Sequence, residues 1–101
     1  MNSILANDII NQLQAGRERI EWTQFHSMQA DIGELSEVVI GNDVYFVTPF
    51  QSYTTIVGFV VLTNPQTFIE VGHYSQTTTR QVNRYCREEG LSKQYFDKRQ
   101  Y

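Results

Sequence analysis

The sequence predicts an α+β domain: a small antiparallel sheet of about four strands with an N-terminal and a C-terminal helix packed on one face. Three observations lead there. Apolar residues recur at helical spacing near the start, β-branched and aromatic residues fill the middle, and a capped amphipathic segment lies near the end.

Ile4, Leu5, Ala6, Ile9, Ile10 and Leu13 place an apolar stripe on a helix over residues 4–15. Ser3 is its expected N-cap and Gly16 its expected stop. Ile20 and Trp22 then alternate with Glu21 and Thr23 as a strand would, whereas residues 29–35 lack a period and read as a loop. From Glu37 the pattern turns to β. Val38-Val39-Ile40, the turn residues Gly41-Asn42-Asp43 and the β-rich residues 44–47 predict a hairpin. Thr48-Pro49 should end its second strand, because proline has no ladder donor. Residues 53–62 are the strongest strand in the chain, with Gly58 marking a bulge or a close backbone approach. Asn64-Pro65 supplies the next turn and residues 67–71 the strand that returns from it.

Gly72 ends the sheet, and residues 78–90 predict the second helix, with Val82, Tyr85 and Cys86 on its apolar side. Thr78 with Gln81 matches a capping box, and Gly90 is placed to end the helix in the left-handed conformation. Ser92 is expected to cap a last short helix through Tyr95 and Phe96. Without repeats, low-complexity tracts or linkers, residues 1–101 read as one domain.

Composition narrows the function classes. At 101 residues and 41% hydrophobic, the chain can bury a core without staples. Cys86 is alone, so one chain can form neither an internal disulfide nor a cysteine-based metal site. The longest apolar run, residues 56–62, falls far short of a membrane span. The opening Met-Asn-Ser-Ile lacks the basic start of a signal peptide, so a cytoplasmic protein is expected. The net charge of −3 is unevenly spread. Residues 1–73 hold two arginines against eight carboxylates, a net of −6, while residues 74–101 hold six cations against three carboxylates, a net of +3. Such asymmetry marks a polyanion-binding end, two faces that meet in an oligomer, or an ordinary solvated surface.

No catalytic constellation assembles. His26 and His73 have no carboxylate or histidine partner at metal-ligand spacing, and Cys86 falls on the apolar side of its helix. Glu88 and Glu89 are adjacent on a helix and so point apart, and no glycine-rich phosphate loop occurs. Neither an enzyme nor a cofactor or metal is expected.

The second helix carries the candidate site. Arg80, Arg84 and Arg87 fall within an arc of about 60° at roughly 100° per residue. They face away from Val82, Tyr85 and Cys86, forming either a ridge for phosphates and acidic surfaces or a solvated face in which Arg84 pairs with Glu88. Thr77 and Thr78 add hydroxyl and N–H groups at the helix entry, where an anion is favoured, and Tyr95 supplies an aromatic surface for stacking.

The run Tyr74-Ser75-Gln76-Thr77-Thr78-Thr79-Arg80-Gln81-Val82-Asn83, preceded by Tyr53-Thr54-Thr55-Ile56-Val57-Gly58-Phe59, resembles a pattern in small phage and plasmid proteins of unknown function. These share a Tyr-x-Thr-x-Val strand and a later Tyr-Ser-x-Thr-Thr-x-basic-x-x-Asn segment that opens a helix. The resemblance spans Tyr53 to Tyr85 and implies a phage or mobile-element origin, hence a host bacterial cytoplasm. The expected function is therefore a non-enzymatic accessory protein that binds a host protein or ribonucleoprotein, such as an anti-CRISPR-like inhibitor of a defence system. The alternatives are a small nucleic-acid-binding module using the arginine helix, and a structural protein that forms a homodimer or larger homo-oligomer. No membrane partner is expected.

Overall fold

Helix α1 (Ser3–Ala15) forms where the apolar stripe places it, with Ala6, Ile9, Ile10 and Leu13 buried. Its cap is Asn2, one residue before the expected Ser3: the Asn2 side chain accepts from the Leu5 N–H at 2.8 Å. Gly16 ends the helix as expected, and a single 3₁₀ turn (Arg17–Arg19) follows. The computed structural model describes residues 1–72 and 75–97. His73, Tyr74, Lys98 and Arg99 lie outside the described residues, and with them part of the phage-like segment and the end of the basic tail.

The described residues form one sheet of seven strands, which corrects the expectation of about four. The strands are β1 (Trp22–Gln24), β2 (Ala30–Gly33), β3 (Ser36–Ile40), β4 (Asp43–Ser52), β5 (Thr55–Val61), β6 (Thr67–Val71) and β7 (Ser92–Phe96). The main path runs β1-β2-β4-β5-β6-β7, with β3 paired to β4 off that path. The sheet is mixed, because β6 and β7 run parallel and the other pairs antiparallel.

Two segments are strands that were not expected, and a third strand is longer than expected. The stretch expected to be a loop at residues 29–35 contains β2, whose short length gives no period but whose Ile32 pairs with Phe50 and also with Thr23. The segment expected to be a last short helix is β7, drawn into register with β6 from Thr67↔Ser92 to Val71↔Phe96. Pro49 does not end its strand. β4 runs through it because β3 reaches only to Val47 on that side and β2 starts at Phe50, so the missing donor falls between two partners.

Helix α2 (Gln76–Glu89) is the crossover between β6 and β7. The two helices were expected on one face; they lie on opposite faces. α1 covers Val38, Val47, Ile56, Phe59, Ile69 and Val71. α2 covers Phe25, Ala30, Phe50, Val57, Val60 and Phe68. The reason is the sheet itself: its central strands are apolar on both sides, so each side needs its own helix.

Gly58 sets how β4 and β5 fit. The register shifts at Phe50/Gln51 opposite it, a bulge that places Ile56 and Phe59 on the α1 side although they are three residues apart. A Cβ at Gly58 would lie 2.6 Å from the Phe68 ring and 2.5 Å from the Ile69 carbonyl oxygen. Both sequence-based readings of this glycine, bulge and close approach, hold. Under α2 the rings of Phe50 and Tyr85 stack at 4.9 Å, while Phe25 and Phe68 meet them edge-on at 5.5 to 6.0 Å. Such pairs add about 0.5–1.5 kcal/mol each beyond area burial.

Candidate functional site

The arginine helix forms, but its entry differs from the expected capping box. Ser75 is the N-cap: its Oγ accepts from the Thr78 N–H at 3.3 Å. Thr78 therefore sits one turn inside the helix, buried, with its Oγ1 3.1 Å from Ser52 Oγ. Gln81 does not return to the cap. It is fully buried and donates from Nε2 to the Met28 carbonyl, fastening α2 to the turn after β1. Gly90 closes the helix as expected, at φ 65° with its N–H on the Cys86 carbonyl.

These bonds consume much of the expected anion site. The Thr78 N–H is taken by Ser75, and the Thr79 N–H and hydroxyl both reach the Ser75 carbonyl. Thr77 is exposed at the entry. The three arginines separate as well. Arg84 Nε donates to Glu88 Oε2 at 2.7 Å, and its Nη1 lies 3.7 Å from Met28 Sδ. Glu88 in turn meets His26 Nε2 at 2.8 Å through its other oxygen. Arg84 is thus part of a clamp between α2 and the β1–β2 turn. Arg80 and Arg87 are exposed and remain available to a partner. Tyr95 is on edge strand β7, in register with Glu70, and not on the helix.

The titratable groups near this helix are tuned toward packing. Burial pushes the Tyr85 hydroxyl up to about 12, with the nearby Glu89 and Cys86 adding to it. Burial likewise pushes the Cys86 thiol up to about 11; Lys93 acts against that rise and Glu70 with it. At neutral pH such a thiol is protonated, which removes its nucleophilic form. Lys93 Nζ links the layers, 3.3 Å from Asn83 Oδ1 and 3.6 Å from Glu70 Oε1.

A second surface emerges on the β3–β4 hairpin, which sequence reasoning did not single out. Val38 and Val47 face α1, with Ile40 and Tyr45 packed beside them. By alternation Val39, Val44 and Phe46 point to the opposite face. α2 covers only the part of that face built on Phe50, Val57 and Phe68. Val39, Val44 and Phe46 are consequently about half exposed, at 48%, 47% and 53%, and Leu62 follows the strand residue paired with Val47. The available signal was the run Val38-Val39-Ile40. Consecutive apolar residues in a strand supply both faces, and a single covering helix leaves one of them bare.

The model of a family of unknown function, DUF8033, matches residues 4–101. The chain belongs to this family. The DUF8033 match runs from the first turn of α1 through all seven strands, well beyond the Tyr53 to Tyr85 stretch of the phage-like pattern. No curated protein and no solved structure matches the chain. Among the described residues of this DUF8033 member, no three His, Cys, Asp or Glu side chains gather into a group that could hold a metal ion. No described helix is long and apolar enough to cross a membrane.

Proposed function

We propose that this DUF8033 member is a non-enzymatic accessory protein of a phage or mobile element that acts by binding a host protein or ribonucleoprotein in the bacterial cytoplasm. An inhibitor of a host defence system, of the anti-CRISPR kind, is the specific form of this reading. The observation that carries it is the apolar strip of Val39, Val44 and Phe46 on the part of the sheet that α2 leaves bare. Apolar side chains grouped on one exposed face favour a protein partner. The phage-like Tyr74 to Asn83 segment supports the origin. The engagement of Arg84 with Glu88 and Met28 weakens the alternative of a nucleic-acid ridge, because only Arg80 and Arg87 of the three are left exposed.

The test is a comparison of wild type with a Val44→Glu/Phe46→Glu variant. Wild type expressed in bacteria carrying an active defence system should raise plaque formation by a targeted phage, and should capture one host protein or ribonucleoprotein reproducibly. The variant should keep its circular dichroism spectrum and lose both effects. Wild type that alters no defence and captures nothing at moderate salt would defeat the proposal.

A further inference from the structure

The outer edge of β3 offers a specific mode of contact. We propose that β3 accepts an extended, apolar-and-basic segment of another protein as an added strand, an inference that rests on the protein-binding reading above.

Among the described residues β3 pairs only with β4, so its other edge is open. Ile40 and Asp43 close the hairpin across two residues, and antiparallel pairs alternate between bonded and non-bonded. Glu37 and Val39 therefore turn their backbone groups outward. The Val39 carbonyl bears this out, since Gln12 Nε2 reaches it from α1 at 2.8 Å. That side chain is exposed and can swing away. Residues 36–40 contain no proline, lysine or bulge of the kind that blocks a further strand.

Apolar surface lies under both faces of such a strand. On the α1 side, a groove of about 270 Å³ runs beside the edge, lined by Leu13, Ile20, Leu35 and Val38. On the other side lies the strip of Val39, Val44 and Phe46. A strand alternates its side chains, so one added segment would fill the groove with one set and extend the strip with the other.

Charge selects the occupant. The rim of this edge is acidic on both faces: Glu34 lines the groove with Arg19, while Glu37, in register with Phe46, stands on the side of the strip, both within the part of the chain that carries a net of −6. A second copy would bring its own Glu37 against this acidic rim, an unfavourable meeting of like charges. A segment that alternates aliphatic residues with lysine or arginine meets the opposite sign.

The experiment is a titration of isotope-labelled protein with a synthetic octapeptide alternating Val and Lys, followed by amide shifts and hydrogen exchange. Controls are the same peptide with Glu for Lys, and a Lys peptide N-methylated at alternate positions to remove its strand donors. The shifts should centre on Leu35, Glu37 and Val39, and exchange at the Val39 N–H should slow by roughly tenfold or more. Both control peptides should bind at least about tenfold more weakly, and Glu37→Lys should reverse the preference between Lys and Glu peptides. The proposal is overturned by no saturable shift, by shifts centred elsewhere, by equal binding of both signs, or by a free protein that is already dimeric with its Val39 N–H protected. Host-partner capture that survives Glu37→Lys and is lost in Val44→Glu/Phe46→Glu would leave the protein-binding reading standing without the edge mode. Capture insensitive to both variants would remove the two together.

Discussion

His26 Nε2 lies 2.8 Å from Glu88 Oε1, joining the turn after β1 to the last turns of α2 across 62 positions of sequence. The hydrogen bond from His26, followed by that from Arg84, holds the Glu88 carboxyl below its ordinary value of 4.5. A carboxyl lowered in the folded state stabilises it above the unfolded pKa, and that contribution disappears as pH falls through the folded pKa. Wild type should therefore resist urea better than Glu88→Gln near about pH 7, and that advantage should shrink as the pH falls through and below the ordinary carboxylate range. A difference that stays constant across the carboxylate range would show that the contact is not linked to this proton.

Gly58 and Gly41 should respond differently to alanine. At Gly58 the added methyl meets the Ile69 carbonyl and the Phe68 ring below van der Waals distance, with a buried sheet on either side. Gly58→Ala should cost roughly 1–3 kcal/mol, as overpacking does. At Gly41 nothing lies within 4 Å, so the cost of Gly41→Ala is only that of a side chain at φ 61°, about 1–2 kcal/mol. Chemical denaturation of both variants separates the cases, provided the near-ultraviolet spectrum is followed. Only Gly58→Ala should perturb the aromatic signal, because its methyl is the one that strikes a ring.

Much of this fold was legible in the residues. α1, the Gly41-Asn42 hairpin, the Gly58 bulge and the Gly90 stop all follow from local chemistry. The misses share a cause: their structure is decided by a partner distant in sequence. Residues 30–33 and 92–96 become strands because β4 and β6 supply ladder positions, and Pro49 is tolerated because two neighbouring strands stop on either side of it. For the candidate site, the geometry of the arginine stripe was readable, but the engagement of Arg84 with Met28 and Glu88 was not. The bare apolar strip was hidden too, because a strand apolar on both faces does not reveal which face a helix will cover.

The cap of α2 gives a test of that local chemistry. Ser75→Ala removes the acceptor of the Thr78 N–H and should cost about 1 kcal/mol, within the usual range for a cap. Arg80→Ala and Arg87→Ala, at exposed positions, should each change stability by less than about 0.5 kcal/mol. Arg84→Ala should cost slightly more than either. Its pair with Glu88 is an i,i+4 contact between half-exposed groups, about 0.3–0.5 kcal/mol, and its Nη1 also lies 3.7 Å from Met28 Sδ. Urea midpoints of the four variants check the order. An Arg80→Ala loss as large as that of Ser75→Ala would contradict the exposed placement of Arg80.

Cys86 should behave as a packing residue whose chemistry appears only on unfolding. It lies in the cluster with Phe50, Val60 and Val82, and burial pushes its thiol from 9.0 up to about 11. The thiolate is the reactive form, so alkylation by iodoacetamide at about pH 8 should be slow in the folded chain and fast in denaturant. The linkage has the opposite sign to that of Glu88. A raised folded pKa favours the protonated native state, and this contribution is complete below 9.0 and lost as pH rises through about 11. Wild type should therefore lose stability relative to Cys86→Ala across that alkaline window and not below it. Rapid alkylation under native conditions, or a stability difference flat through the window, would place the thiol at the surface and reopen nucleophilic chemistry at this position.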